Sequence, residues 1–339
     1  MAVIKANAYG HGAVHCARAL ANEADGFAVS SLEEAMQLRD AGLTDPILLL
    51  EGFFTAQELT YIAEQDLWIV VHAQWQVDIL MAAKLARPLH VWLKMDSGMH
   101  RLGLSPTDYR LARGQLDGHK NVASMVPITH LANADNLSSD HAMQQAVLFQ
   151  STLAALPACR ASSLANSAAL LAWPQLRQAI GSKQHWSRPG IMLYGAHPII
   201  QSAQTNPLEP VMHFNSRIIA LRQLEKGDAI GYGSLFTADK AMRVGVVACG
   251  YADGYPRSAK TGTPMAVDGQ ITQLLGRVSM DLLYVDLSAI QTAGINSPVE
   301  LWGKQVPANM VAQSAGTIAY ELFCNTKRAH FDYFDPANI

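Results

Sequence analysis

Short apolar runs recur through the first two hundred residues, with helical-period stretches between most of them. Ala2–Ile4, Gly26–Ser30, Ile47–Leu50, Trp68–Val71, Leu89–Leu93, Ser124–Ile128, Ser162–Ala165 and Gly190–Tyr194 read as strands. His15–Asn22, Leu32–Asp40, Ala56–Gln65, Trp75–Lys84, Ser139–Leu156 and Ser167–Ala172 read as helices. Eight strands alternating with helices predict an α/β domain, a (β/α)8 TIM-like barrel rather than a doubly wound sheet, over residues 1–206. From about Pro207 strands dominate: Val211–Leu224, Arg243–Ala248, Pro264–Val267, Ile271–Leu275, Val278–Leu287 and Pro298–Trp302. Tight turns such as Glu225-Lys-Gly-Asp228 and Asp268-Gly269 separate them. A predominantly β carboxyl-terminal domain over 207–339 follows, with a late helix around Asn309–Cys324. Its link to the barrel is Gly195–Pro207, which carries Pro198, Asn206 and Pro207.

The length of 339 residues agrees with about two domains. Half of the residues are apolar, enough for a large core, and the net charge is −3 with both signs mixed. That balance gives no reason to expect nucleic acid or a polybasic membrane patch. Cys16, Cys159, Cys249 and Cys324 lie far apart, without metal-ligand spacing, so free thiols in a reducing cytoplasm are expected and a metal site is not. No unbroken apolar stretch of about 18 residues and no signal peptide is visible, so the sequence predicts a soluble cytoplasmic protein.

In such barrels chemistry sits at the carboxyl ends of the strands. Lys5 closes the first run and Tyr9 follows, before a turn marked by Gly10 and Gly12. A lysine there is costly to bury unpaired, and desolvation moves an amine toward the range of a useful nucleophile. Taken alone, it also reads as a solvated loop residue. The fifth run leads into Lys94-Met-Asp-Ser-Gly-Met-His-Arg-Leu-Gly103, and His130 follows the sixth with Asn133, Asp135 and Asn136. Asn166 and Ser167 follow the seventh, and Arg188-Pro-Gly190 precedes the eighth. Ser167 and the Gly190 and Ile191 amides read as anion contacts, since a helix start favours negative charge and glycine admits a phosphate closely. Ser167 reads equally as an ordinary helix cap.

The chain resembles the bacterial alanine racemase family, of fold-type III, along essentially its whole length. The matching blocks are Lys5-Ala-Asn-Ala-Tyr-Gly-His-Gly12, Lys94 to Gly103, Arg188-Pro-Gly-Ile-Met-Leu-Tyr-Gly195, Gly231-Tyr-Gly233, Gly250-Tyr-Ala-Asp-Gly-Tyr-Pro-Arg257 and Gly276-Arg-Val-Ser-Met-Asp281. The resemblance implies interconversion of L- and D-alanine, with Lys5 holding pyridoxal 5′-phosphate as an internal aldimine. Tyr9, Ser167, Gly190, Ile191 and Tyr320 would hold the phosphate, with Asn166 beside them. Arg188 would donate to the pyridine nitrogen with His130 behind it, and Arg101 would bond the phenolic oxygen and the substrate. Lys94 matches a position carbamylated in some members. Tyr232 would be the second base, and Met280 and Asp281 would bind the substrate carboxylate end, all three from the partner of a head-to-tail homodimer. Tyr251, Arg257 and Arg277 would line the entrance.

Racemisation removes an α proton and returns one to the other face, so it needs two acid/base groups on opposite sides, Lys5 and Tyr232. A tyrosine near pKa 10 is a poor base at neutral pH, so positive charge from His130 and Arg188 is expected to lower it. Arg188 keeps its proton, which leaves the pyridine nitrogen unprotonated and disfavours transamination. Arg188→Glu is expected to increase side reactions. D-alanine made this way would supply peptidoglycan synthesis. Two alternatives stay open: a non-catalytic pyridoxal phosphate homeostasis protein, which lacks a β domain, and a fold-type III decarboxylase, which needs a carboxylate where Arg188 stands. Family members usually carry a longer segment before the lysine block, forming a strand and a helix. Here only Met1–Ile4 precede Lys5, from a truncation or a misplaced start. The β domain is therefore expected to lack a strand and to show an unpaired edge.

Overall fold

The computed structural model describes residues 1–178, 183–199 and 207–334. Two compact units emerge: Met1–Ala8 with Gly12–Met192, and Tyr9–His11 with Leu193 onward. Most of the expected link, residues 200–206, lies outside the described residues.

The first unit is built on parallel strands. β1 (Ala2–Val3), β2 (Phe27–Val29), β3 (Ile47–Leu49), β4 (Leu67–Val71), β5 (Leu89–Lys94) and β6 (Val122–Ile128) form one sheet in sequence order. β7 (Ala161–Ser162) and β8 (Gln184–His185) form a parallel pair. A bridge between Ile128 and Ser163 joins β6 to the β7 chain. The Val3 N–H donates to the Pro189 carbonyl at 2.9 Å and joins the β8 chain back to β1. The parallel segments thus return to the first, a barrel-type arrangement. Ile47, Leu48 and Leu49 are all fully buried. Covering both faces of a parallel strand produces such an unbroken apolar run instead of alternation.

Helices follow the strands at Ala13–Leu20, Leu32–Asp40, Glu58–Glu64, Gln74–Ala82, Pro106–Leu116, His141–Ala154 and Ser167–Ala172. Pro106–Leu116 has a strong start signal: Pro106 opens it, and the Ser105 side chain accepts from the Asp108 N–H at 3.1 Å.

The eighth strand differs from expectation. Ile191–Tyr194 is a 3-10 helix, and the strand lies earlier at Gln184–His185. Ile191 and Tyr194 are buried while Met192 and Leu193 are only partly covered. That spacing of three is the period of a tight helix, and an apolar run this short does not distinguish the two.

The second unit contains a closed six-stranded antiparallel barrel. Its members are β9 (Phe214–Leu224), β12 (Met242–Val247), β13 (Pro264–Val267), β14 (Gln270–Leu275), β15 (Leu283–Asp286) and β16 (Pro298–Trp302), in the order β12-β15-β14-β13-β16-β9. A small hairpin of β10 (Ala229–Ile230) and β11 (Phe236–Thr237) stands beside it in sequence. β9 pairs with β12 on one side and β16 on the other, so the barrel lacks the unpaired edge that was expected. Asp268-Gly269 forms the two-residue connection of β13 to β14, with φ values of +47 and +78°. The expected strand Val278–Leu287 begins only at Leu283, which leaves Arg277 to Asp281 in a loop. The expected late helix is two helices, Ala308–Ala315 and Ala319–Asn325. Gly316 ends the first at φ +71°, with its N–H on the Gln313 carbonyl.

Candidate active site

Lys5 stands two residues beyond β1 and enters an unusual turn. Ala6, Asn7, Ala8 and Tyr9 all have φ between +52 and +54°. None is glycine, and left-handed backbone costs such residues about 1–2 kcal/mol each. Local bonds offset this: the Ala8 N–H reaches the Ile4 carbonyl at 2.8 Å, and the Asn7 side chain accepts from the Ala13 N–H at 2.9 Å.

Arg188 is 4% exposed and bonds two other chain segments. Its guanidinium donates to the Ser163 hydroxyl, to the Thr129 carbonyl at 2.7 Å and to the Leu164 carbonyl at 3.4 Å. It also donates to His130 Nδ1 at 3.3 Å. Burial lowers the Arg188 pKa to about 10, so it stays charged at neutral pH. Burial and the adjacent Arg188 hold His130 well below its ordinary range. His130 is therefore neutral, with its proton on Nε2, and the expectation that it adds positive charge is corrected: a second cation beside a buried arginine is electrostatically unfavourable.

Lys94 closes β5 and is 8% exposed. Burial first, then the charges of Arg188, Arg101 and Lys5, lower its pKa to about 8, with Asp96 pulling the other way. Asp96 also shapes the loop ahead of Arg101. Its carboxylate accepts from the N–H groups of Gly98 at 2.9 Å and of Met99 and His100 at 3.1 Å. These four basic side chains form a positive cluster in the first unit.

Asn166, not Ser167, caps the helix Ser167–Ala172, accepting from the Ala169 N–H at 3.1 Å. The Ser167 hydroxyl accepts from the Gly190 N–H at 2.9 Å and the Met192 N–H at 3.4 Å. With two donors on its oxygen, its own proton is left to point at an acceptor.

The sequence did not single out the supports of this region. Gln145, fully buried on the helix His141–Ala154, donates to the His130 carbonyl at 3.1 Å and to Ser97 at 3.3 Å, and accepts from the Ala132 N–H at 2.8 Å. Thr129 donates to the Met95 carbonyl at 3.0 Å, so Ser97 is the donor in their 2.7 Å contact. These are polar residues inside apolar periods, a signal visible only once burial is known.

Tyr9 and Tyr320 belong to the second unit, with ring centroids 5.7 Å apart. Burial raises the Tyr9 phenol above its usual range, with smaller contributions from Tyr320 and Cys324. Gly10 has φ +82°, and a Cβ there would stand 2.2 Å from the Phe323 carbonyl oxygen, so only glycine fits. Tyr232 is 71% exposed on the turn between β10 and β11. Met280 is 53% exposed, and Tyr251 is exposed too. Asp281 pairs with Arg328 at 2.6 Å, and Arg328 also reaches Asp253 at 3.0 Å. Arg257 and Arg277 line one cleft with Lys260 and Thr261. Among the described residues there is no group of three or more His, Cys, Asp or Glu side chains able to hold a metal, and no helix long and apolar enough to cross a membrane.

Comparison with known proteins agrees with this arrangement. The family model "Alanine racemase, N-terminal domain" matches residues 1–198, and "Alanine racemase, C-terminal domain" matches 211–333. The chain is 53% identical over 334 residues to the catabolic alanine racemase of Pseudomonas putida, covering 98% of this chain and 91% of that protein. It is 52% identical over 339 residues to an alanine racemase of Xanthomonas campestris, covering 100% and 92%. The structure matches the biosynthetic alanine racemase of Pseudomonas aeruginosa with a TM-score of 0.91 at 43% identity, covering 97% and 90%. It matches alanine racemase of Bartonella henselae with covalently bound pyridoxal phosphate at 0.84 and 27% identity, covering 96% and 89%. On both family models and on identity across nearly the full chain, this protein belongs to the alanine racemase family.

Proposed function

We propose that this chain interconverts L- and D-alanine in the cytoplasm, with pyridoxal 5′-phosphate at Lys5, as a homodimer whose partner supplies Tyr232, and so provides D-alanine for peptidoglycan. The observation that carries the reading is the buried Arg188, held on Ser163, Thr129 and Leu164 beside a neutral His130. A decarboxylase would need a carboxylate there. The second, β-barrel unit speaks against a single-domain cofactor-homeostasis protein.

The residues present fit the cofactor. Lys5, Arg101 and Arg188 all bear on Lys94 as positive charges, with Asp96 opposing them. A phosphorylated, phenolic ligand supplies the negative charge such a cluster calls for. Ser167 has a proton to give to a phosphate oxygen, with Gly190 and Ile191 adjoining and Asn166 holding the helix start. Tyr9 and Tyr320 join as phosphate contacts through the resemblance. Arg101 would serve the phenolic oxygen and the substrate carboxylate. Carbamylation at Lys94 needs its uncharged amine, and its lowered pKa makes that form accessible near neutral pH.

When bound, pyridoxal phosphate spreads the electron pair left at the α carbon, which no side chain does. The chain's own task is proton handling. Lys5 Nζ takes or returns the α proton on one face, and Oη of Tyr232 of the partner subunit does so on the other. Arg188 keeps its proton and donates a hydrogen bond instead of a charge-transferring proton. The exposure of Tyr232, Met280 and Asp281 supports their presentation to a second copy. Tyr251, Arg257 and Arg277 would flank the entrance, and Tyr232, Tyr251 and Tyr320 would crowd it and favour a small substrate.

The test is D-alanine formation from L-alanine by the purified 339-residue chain with pyridoxal phosphate. Product that disappears in Lys5→Ala supports the proposal. A folded, cofactor-loaded dimer that forms no D-alanine overturns it.

A further inference from the structure

A side chain from outside the left-handed turn after Lys5 holds its first residue. Glu34 Oε1 accepts from the Ala6 N–H at 2.6 Å, and Glu34 Oε2 accepts from the Ser30 N–H at 2.7 Å. Ala6 follows Lys5 at the end of β1, and Ser30 follows β2. One carboxylate therefore ties together the carboxyl ends of two neighbouring strands.

This is a diverted use of a common signal. Ser31 is the cap of the helix Leu32–Asp40, and Ser31-Leu-Glu-Glu34 has the spacing of a capping box. In that motif the glutamate returns to the N–H of the cap residue itself. Here it reaches one residue further back, to Ser30, and gives its other oxygen to Ala6. The Ser31 hydroxyl pairs instead with Glu33. Other bonds of the turn, such as Gly12 N–H to the Asn7 carbonyl at 2.9 Å and Ala13 N–H to the Asn7 side chain at 2.9 Å, join neutral groups. The Glu34 bond is charge-assisted, and it falls on the residue next to Lys5.

We infer that Glu34 is a positioning residue: its carboxylate fixes the strained turn at Ala6 so that Lys5 leaves the backbone in one direction, within the cluster that includes Lys94. The inference rests on the reading that Lys5 carries the cofactor and moves the proton. A free turn would relax toward ordinary backbone and release the Lys5 amine from that direction.

The experiment compares Glu34→Gln and Glu34→Asp with the wild-type chain. Glu34→Gln keeps the size but sets an NH2 group against one of the two amide donors. Hydrogen exchange at Ala6 and Ser30 in the cofactor-free protein should accelerate about tenfold or more. In the loaded protein kcat should fall about 100-fold with little change in KM, as expected when a reacting group is misdirected. Glu34→Asp keeps the charge but is one methylene shorter, and should recover part of both effects. Gln76→Ala is the structural control. Gln76 accepts from the His72 N–H at 2.8 Å and donates to the Glu51 and Phe53 carbonyls at 3.2 and 3.1 Å. Its loss should lower the melting temperature while exchange at Ala6 and kcat stay unchanged. Wild-type exchange at Ala6 in Glu34→Gln overturns the inference, and so does faster exchange with unchanged kcat. If Glu34→Gln does not fold, Glu34→Asp is read by the same two measurements. If the wild-type chain makes no D-alanine, the functional reading fails, and the exchange data still decide whether Glu34 holds the turn.

Discussion

Arg188 donates to His130 Nδ1 at 3.3 Å, and burial together with that cation keeps the imidazole a neutral acceptor. An unfolded histidine takes a proton near pH 6.5, whereas the native one resists it. Below that value the unfolded state binds more protons, so stability present at pH 7 is lost as the pH falls. Urea unfolding at pH 7 and pH 5 should show this loss, and His130→Asn should make it shallower. An equal loss in the variant would remove His130 from the account.

Arg188→Lys keeps the charge but not the planar fork. A single ammonium cannot span Ser163, Thr129, Leu164 and His130 together. Buried acceptors would lose their donors, at about 1–3 kcal/mol for each one left bare. Denaturant titration should show a clear loss of stability, and D-alanine formation should fall about 10- to 100-fold. A variant with native stability and rate would contradict the assigned role.

Lys94 should leave a mark at alkaline pH. The native amine loses its proton near pH 8, and the unfolded one near 10.5. Between these values the unfolded state holds more protons, so stability rises with pH, by up to about 3 kcal/mol over the window. The comparison is between wild type and Lys94→Met in buffer free of carbon dioxide. The difference in stability between them should shift toward wild type from pH 8 to 10. Bicarbonate should add the mass of one carbon dioxide to wild type and not to the variant.

Gly103→Ala should disturb the segment that presents Arg101. Gly103 has φ +133°, and a Cβ there would stand 2.5 Å from the Asp96 nitrogen and 2.8 Å from the Met95 carbonyl carbon. Both contacts are backbone, so the loop itself must move. A loss of about 2–4 kcal/mol is expected by thermal melting, with a raised KM for alanine.

Arg328→Ala addresses the second unit. Arg328 holds Asp281 and Asp253, and all three side chains are solvent-accessible. Surface pairs contribute little to folding, so the melting temperature should stay unchanged. KM should rise a few-fold if Asp281 must be oriented toward substrate. Added salt should narrow the gap between wild type and variant, because it screens the exposed pair.

The chain's patterning by itself determined the two-part architecture. Continuous apolar runs such as Ile47–Leu49 are what a doubly covered parallel strand requires, and they are legible without partners. Asp268-Gly269 announced its hairpin because its backbone needs positive φ at both positions. The cluster at the strand ends was likewise visible, because Lys5, Lys94, Arg101 and Arg188 stand just past or beside apolar runs or in the loops that follow them. What only the tertiary structure decided were outcomes set by distant groups. Ile191–Tyr194 became a tight helix with Ser167, 23 residues before Gly190, receiving that glycine's N–H. His130 became neutral through burial and through Arg188, 58 residues away. Ala6 to Tyr9 took left-handed backbone against their own preference, with Ala6 held by Glu34, 28 residues on. In each case the local chain by itself does not select the observed conformation or charge state. Hydrogen bonds to distant groups or the loss of water select it, and those arise only when the fold brings the partners together.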